Sequence, residues 1–141
     1  MTLKVSRVDL WTVSIDDRAG GAADKLEPLS NAGANFEFAF ARRTPEQPGR
    51  GMLFVTPVKG TKVVQAAQAA GFTKPENLHS ARIEGANKPG VTAKVMRALA
   101  NAGISFRALS ASAIGKRFVS FVALDSAEDA ARATSLLRRI D

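Results

Sequence analysis

The sequence predicts an α+β protein in which a unit of about 70 residues, with the element order βαββαβ, occurs twice. Three observations predict this fold class. Apolar residues alternate with period two in some segments and recur with helical spacing in others, glycine-containing turns separate these segments, and the chain repeats itself. We expect each unit to form an antiparallel sheet with its helices packed on one face.

Internal repetition is visible when the chain is shifted by 70 positions. Residues 17–41 then align with 87–111, and 8 of these 25 positions are identical. The duplication predicts a first unit over 1–74 and a second unit over 75–141. A shared linker over about 72–85 must hold the last strand of the first unit and the first strand of the second, as one long strand or as two pieces split near Pro75.

The first strand of each unit is marked by period-two alternation. Trp11, Val13 and Ile15 fall on one face of a strand over Val8–Ile15. That pattern is typical of a strand with one buried face. The counterparts in the second unit are Ala81, Ile83 and Gly85.

The first helix of each unit follows a glycine-containing turn. Apolar residues at spacings of three and four predict helices over 21–32 and 89–102. Asn87 suits the N-cap of the second of these helices, and Pro89 suits its first turn. Pro28 lies inside the first helix and should bend or shorten it.

A hairpin and a second helix follow in each unit. Turn-forming residues predict a long loop in the first hairpin and a short loop over 115–117 in the second. Ser126-Ala-Glu-Asp129 fits a capping box and opens the last helix. The predicted strands are Ala34–Arg43, Met52–Val58, Ile104–Ile114 and Phe118–Leu124, and the predicted second helices are Thr61–Ala70 and Ser126–Arg139.

The second unit lacks residues for a fourth strand after its last helix. An unpaired sheet edge promotes aggregation unless another segment pairs with it. We therefore expect either the N-terminal residues Thr2–Ser6 or a second subunit to fill this edge.

Composition excludes most familiar catalytic sites. The chain has no Cys and one His, His79, which rules out disulfides, thiolate nucleophiles and metal sites that need Cys or two imidazoles. No phosphate-binding loop or dinucleotide fingerprint occurs. Glu37, Glu84 and His79 are possible bases, but no catalytic partner is fixed by spacing. We interpret the protein as non-catalytic and expect no cofactor and no metal.

The charge balance is basic but dispersed. The formal net charge is +7, yet no run of five to eight basic residues of the kind that marks a nucleic-acid tail occurs. No apolar stretch approaches the roughly 18 residues of a membrane span, and the N-terminal residues have no apolar signal core. These observations favour a cytoplasmic protein without a membrane partner.

Residues 87–105 read Asn-Lys-Pro-Gly-Val-Thr-Ala-Lys-Val-Met-Arg-Ala-Leu-Ala-Asn-Ala-Gly-Ile-Ser. This segment resembles the signature of the ACT domain, a small regulatory module of ferredoxin-like fold found in amino-acid metabolism. The first copy matches more weakly, and Ala19 replaces the usual proline. The resemblance covers nearly the whole chain and implies a free-standing tandem-ACT regulatory protein. It also implies a homodimer that modulates a metabolic enzyme or regulator.

The turn chemistry gives an expectation that does not depend on the resemblance. Glycines near 20 and 90 let the backbone approach a bound group, and the start of the following helix favours an anion such as a carboxylate. Asp17 or Asn87 on the same turn can accept from an ammonium group. These features describe a site for an α-amino acid, although plain turn and cap geometry would use the same residues.

The resemblance extends the candidate site to further residues. ACT modules that bind amino acids place the ligand between two modules, with contacts from this turn and from the start of the second strand. The better-matched second copy is the stronger candidate. The ligand-binding residues implied are Asp17, Arg18, Gly20, Gly21 and Asn35 in the first copy, and Asn87, Gly90, Val91, Thr92, Ile104 and Ser105 in the second.

An alternative function is RNA binding, because RNA-recognition domains use the same split βαβ topology. Residues 50–57 agree with their consensus at Arg50, Gly51, Phe54 and Val55. Met52 and Pro57 stand where that consensus has aromatic residues, and the chain contains no Tyr. We therefore expect Phe54 to lie in the core and prefer the amino-acid reading.

Overall fold

The computed structural model describes residues 2–140, which fold as two compact units. The first-repeat unit spans Asp9–Pro75, and the second-repeat unit combines the N-terminal segment up to Val8 with the chain from Glu76 onward. The predicted α+β class with antiparallel sheets is confirmed. The elements are β1 (Lys4–Val8), β2 (Trp11–Asp16), α1 (Gly21–Asn31), β3 (Phe38–Arg43), β4 (Arg50–Thr56), α2 (Thr61–Ala69), β5 (His79–Ala86), α3 (Val91–Asn101), β6 (Phe106–Ile114), β7 (Arg117–Leu124) and α4 (Ala127–Leu137).

The second-repeat unit has a four-stranded sheet in the order β1-β5-β7-β6. Strand β1 pairs with β5 from Lys4 opposite Glu84 to Val8 opposite Ser80. The N-terminal residues therefore fill the edge that the sequence predicts to be open, and a second subunit is not needed there. Arg138 Nη2 fixes β1 further by donating to the Val5 carbonyl over 2.8 Å.

Close packing explains why β1 fits beside β5. The Leu3 side chain is 3% exposed and belongs to the core of this unit. A Cβ on Gly85 would approach Leu3 Cδ2 to 2.7 Å, so a larger residue at this position would displace the Leu3 side chain. Helices α3 and α4 cover the same face of the sheet, and their inward residues are Val91, Val95, Leu99, Ala130, Ala133 and Leu137.

The first-repeat unit has a three-stranded sheet in the order β2-β4-β3. Its fourth strand is reduced to one bridge, in which Thr12 and Thr73 exchange backbone hydrogen bonds of 2.8 and 2.9 Å. The linker is therefore split near Pro75, and the option of one long strand is wrong. Val13, Leu53 and other apolar residues face the helices and form a separate core.

Several local predictions are corrected by the structure. Asn87 does not cap α3, because Gly90 is the N-cap, and Pro89 precedes the helix rather than lying in its first turn. Pro28 does not shorten α1, because α1 and α3 are both 11 residues long. The fully buried Leu29 next to it anchors this end of α1 in the core, and such tertiary packing outweighs one lost backbone hydrogen bond.

Phe54 is also placed differently from the sequence prediction. Its neighbours Leu53 and Val55 are buried beneath the helices, so alternation along β4 puts Phe54 on the opposite, helix-free face of the sheet. The prediction of a core position for Phe54 is therefore wrong.

No helix between residues 2 and 140 combines the length and the apolar character needed to cross a membrane.

The packing of β1 generates a stability prediction. Leu3→Ala should lower the free energy of unfolding by about 2–5 kcal/mol, because it removes a fully packed side chain and leaves a cavity. Urea denaturation measures the change. Lys4→Ala on the same strand is the control: this exposed side chain should change stability by less than about 0.5 kcal/mol. Equal effects of the two substitutions would contradict the docking of β1.

A charge cluster on the helix-free face of the second-repeat unit generates a pH prediction. Glu84 accepts hydrogen bonds from Arg82 Nη1 at 2.7 Å and Arg117 Nη2 at 3.0 Å. These bonds lower the pKa of Glu84 from 4.5 to about 2. Because the folded-state pKa is depressed, the stabilisation is complete above the unfolded pKa and is lost as the pH falls from about 5 towards 2.

Glu84→Gln should accordingly flatten the fall in stability over this pH range. Urea unfolding at several pH values between about 5 and 2 measures it. Glu46→Gln, at an exposed loop position, should leave the pH profile parallel to that of the wild type. A Glu84→Gln profile parallel to the wild type would refute the assignment.

Candidate functional site

The turn from β5 to α3 in the second-repeat unit is held in a fixed position. The Asn87 N–H donates to the Lys116 carbonyl over 2.8 Å, which ties the turn to the β6–β7 hairpin. Gly90 has φ +87°, a left-handed conformation that side-chain-bearing residues rarely adopt. The chain can therefore enter α3 abruptly at Val91, whose buried side chain anchors the helix in the core.

Among the described residues, the N-terminus of α3 has no negatively charged or capping side chain beside it. No side chain caps it, and its first turn contains no acidic residue. The N–H groups of Thr92 and Ala93 have no acceptor inside the helix, because the first turn of any α-helix lacks them. These groups also lie at the positive end of the helix dipole, so this position favours a negatively charged group.

A small cleft opens at this helix start. Its volume is about 240 Å³, somewhat below the range of about 300–1,000 Å³ typical of drug-sized ligands. One cation, Lys88, lines the cleft, and the lining contains no carboxylate. The lining residues are Asn87, Lys88, Gly90, Val91, Thr92, Ala93, Ala111, Ser112, Ala113 and Phe118.

Four of the six second-copy candidates meet in this cleft, namely Asn87, Gly90, Val91 and Thr92. The other two do not. Ile104 is a core residue, and Ser105 is exposed just before β6 begins.

Strand direction explains this division. Because β6 runs antiparallel to β7, its first residues lie at the end of the sheet far from the turn, whereas Ala111–Ala113 lie next to it. The sequence analysis did not include these three residues. The antiparallel strand order expected for the fold would have placed the end of β6, rather than its start, beside the turn.

The equivalent turn of the first-repeat unit also enters its helix through a left-handed glycine, but its charged side chains form ion pairs. Gly20 has φ +89°, and a Cβ on Gly21 would lie 2.1 Å from the Asp16 carbonyl oxygen, so glycine is required there. Asp17 pairs with Arg43 at 2.8 Å, and Arg18 pairs with Asp24 at 2.6 Å. The first-copy candidates Asp17 and Arg18 therefore bind other side chains of the same unit.

The charges at this helix start are reversed relative to α3. Asp24 lies in the first turn of α1, and the residue 70 positions later is Lys94. A nearby cleft of about 310 Å³ includes Arg18 and Gly21 but not Asp17, Gly20 or Asn35. Its lining contains three cations and two carboxylates, and its strand residues come from β2 and β4 rather than β3. The lining residues are Ser14, Asp16, Arg18, Gly21, Asp24, Lys25, Pro28, Arg50 and Ala70.

The candidate bases are not arranged as a catalytic set. The Glu84 carboxylate is held by two arginines, and His79 Nδ1 lies 3.5 Å from Arg7 Nη2. Neither residue lines a described cleft. Among residues 2–140, no group of three or more His, Asp or Glu side chains is placed to hold a metal ion.

Comparison with known proteins identifies the fold. No family model and no curated protein sequence matches the chain. Among solved structures, the regulatory subunit of aspartate kinase from Thermus thermophilus shares 17% identity, with 97% of this chain and 95% of that chain covered and a TM-score of 0.67. A protein from Bacteroides thetaiotaomicron shares 16% identity, with 98% and 99% covered and a TM-score of 0.73.

A larger enzyme contains a similar region. Aspartokinase III from E. coli, solved in complex with aspartate and ADP, shares 14% identity and a TM-score of 0.58. The match covers 96% of this chain but 32% of that enzyme. At these identities the likeness concerns the fold, and it confirms the tandem ACT-type, ferredoxin-like architecture that the sequence predicts.

Proposed function

We propose that this chain is a non-catalytic regulatory protein that binds an amino acid in the cleft at the start of α3. The observation that carries the proposal is the uncapped N-terminus of α3, which opens on a cleft lined by one cation and no carboxylate. The equivalent helix start in the first-repeat unit is also uncapped, but it carries an acidic residue in its first turn, Asp24, which pairs with Arg18. We therefore expect one ligand per chain.

The cleft offers a complementary group to each end of an amino acid. The N–H groups of Thr92 and Ala93 can donate to the carboxylate, and Lys88 adds positive charge beside it. The side-chain oxygen of Asn87 and a backbone carbonyl of β6 can accept hydrogen bonds from the ammonium group. Because these acceptors are neutral, we expect the carboxylate to supply most of the binding free energy.

The strand β6 carries features of an interface with a second copy. Within the described residues 2–140, it pairs only with β7, and its nine residues include one charged side chain, Arg107. Phe106 and Ile114 are 45% and 75% exposed. A long apolar edge strand without guarding charges is prone to pair with another strand, so we propose a homodimer in which two β6 strands meet.

Dimerisation through β6 would enclose the ligand. Ala111–Ala113 line the cleft and belong to the same strand, so a second copy beside β6 would form its missing outer wall. A ligand would then stabilise the arrangement of the two copies that binds it more tightly. The size of this effect is set by the difference between its affinities for the two arrangements. The fold shared with regulatory subunits of aspartate kinase supports a metabolic enzyme in the cytoplasm as the partner that responds.

Ligand binding can be tested by thermal melting with each of the twenty amino acids, followed by calorimetric titration of any that stabilises the protein. A ligand at 100 times its dissociation constant should add about 2.7 kcal/mol of stability. The titration should give one site per chain. Twenty flat melts would refute the amino-acid proposal, and two equivalent sites would refute the assignment to the second repeat alone.

The repeat provides a matched pair of variants for the location of the site. Ala111→Phe should fill the cleft and reduce ligand affinity at least tenfold, since the bulky ring occupies the ligand's space. Ala41→Phe makes the same change 70 positions earlier, at the equivalent exposed strand position of the first-repeat unit, and should leave affinity unchanged. The opposite pattern would move the site to the first repeat.

The dimer can be tested by sedimentation velocity over a range of concentrations. Ile114→Lys adds a charge to the exposed apolar edge and should raise the dimer dissociation constant at least tenfold, because like charges would meet across two β6 strands. Val64→Lys, on the helix α2 of the first-repeat unit, is the control and should have no effect. A wild-type protein that remains monomeric at about 100 µM would refute the dimer.

A further inference from the structure

The helix-free face of the first-repeat sheet carries an aromatic pair that the proposed ligand site does not use. Phe40 on β3 lies directly opposite Phe54 on the central strand β4. Their ring centroids are 6.2 Å apart and their planes are tilted by 39°. Phe40 is 47% exposed and Phe54 is half-buried. Two large aromatic rings are therefore left partly in water on a flat sheet.

The next pair of residues on the same face supplies a cation. Arg42 lies opposite Met52, one step along the two strands from the aromatic pair. Arg42 is exposed, and its Nη1 donates to the neighbouring Arg43 carbonyl. No carboxylate among residues 2–140 forms an ion pair with it. We call Phe40, Phe54, Met52 and Arg42 the aromatic platform.

The other charges near the platform are already paired. Arg50 forms a salt bridge with Asp16 and donates to Ser14 Oγ, and Arg43 pairs with Asp17. The platform therefore combines apolar rings with one free guanidinium group. This composition suits a partner with flat apolar surfaces and a sparse negative charge, which is the chemistry of unstacked nucleobases on a phosphate backbone.

The sequence of the central strand gives limited additional support. Arg50, Phe54 and Val55 agree with the RNA-recognition consensus. Gly51 also agrees, but a Cβ there would lie 2.7 Å from the Arg42 carbonyl oxygen, so its presence is explained by packing alone. The informative match is Phe54, because it lies half-buried on the helix-free face, where such domains stack bases.

We infer that the aromatic platform binds a short single-stranded segment of RNA, with one base on Phe40, the next against Phe54 and Met52, and a phosphate on Arg42. RNA is favoured over DNA because unpaired bases are common in RNA loops and ends, whereas cellular DNA is mostly duplex. The contact is dominated by stacking. The first-repeat unit carries eight Lys and Arg residues against seven Asp and Glu residues, so few phosphates are neutralised.

The test is fluorescence anisotropy with labelled RNA of about eight nucleotides, with single-stranded DNA of the same sequence as the second probe. Saturable RNA binding should weaken about tenfold in Phe40→Ala and persist in Phe40→Trp, which keeps a stacking surface. Phe40→Leu is the matched control, since it keeps an apolar side chain at the same position but lacks an aromatic ring, and it should weaken binding as Phe40→Ala does. Circular-dichroism melts verify that each variant is folded.

Salt dependence separates the platform from nonspecific attraction to a basic protein. The logarithm of affinity should fall with the logarithm of salt concentration with a slope near −0.7, the value for one phosphate contact on a single strand, and Arg42→Gln should abolish this slope. Arg43→Gln should leave it unchanged.

Several results would overturn the inference. They are the absence of saturable RNA binding at low salt, equal losses in Phe40→Ala and Phe40→Trp, a steep slope that Arg42→Gln does not alter, and tighter binding of DNA than of RNA. A change from dimer to monomer in Phe40→Ala without loss of RNA binding would assign this face to a second copy instead. None of these results depends on whether an amino acid binds at α3.

Discussion

The pairing of β1 with β5 is the interaction on which the candidate site depends. It places the N-terminal residues in the position that a fourth strand would otherwise take, and it buries Leu3 and Val5 in the core of the second-repeat unit. With β1 and β7 on its two sides, β5 is an interior strand. The turn that follows β5 is therefore attached to a rigid strand end, and its contact with Lys116 fixes it against the hairpin.

The two turns begin their helices in a similar way but carry side chains of different charge. Gly20 and Gly90 have nearly the same φ, so both helices start in the same way. In the first copy, acidic and basic side chains pair with one another across the turn. In the second copy the equivalents of Asp17 and Arg43 are Asn87 and Ala113, which cannot form that ion pair. Within residues 2–140, the helix start of α3 thus has no acidic side chain near it, whereas at the start of α1 the charges of Asp24 and Arg18 neutralise each other.

The sequence was sufficient to predict the fold, since periodicity and the 70-residue repeat are local signals that survive in each copy. It also predicted that either the N-terminal residues or a second subunit would fill an open edge, because an unpaired edge is unfavourable, and the structure selects the N-terminal residues. It was insufficient where side chains from distant segments meet. The cleft residues Ala111–Ala113 depend on strand order and direction, and the exposure of Phe54 depends on which face of the sheet the helices cover, which alternation alone does not specify.

The net charge of +7 is distributed unequally between the two units. The second-repeat unit contains twelve of the Lys and Arg residues and six of the Asp and Glu residues, whereas the first-repeat unit contains eight and seven. Most of the positive potential therefore surrounds the unit whose helix start is open to an anion. Such a field raises the local concentration of anionic groups and speeds their encounter with the cleft. The first-repeat unit is close to neutral, so any partner of its exposed aromatic face must be bound mainly through contact between apolar surfaces.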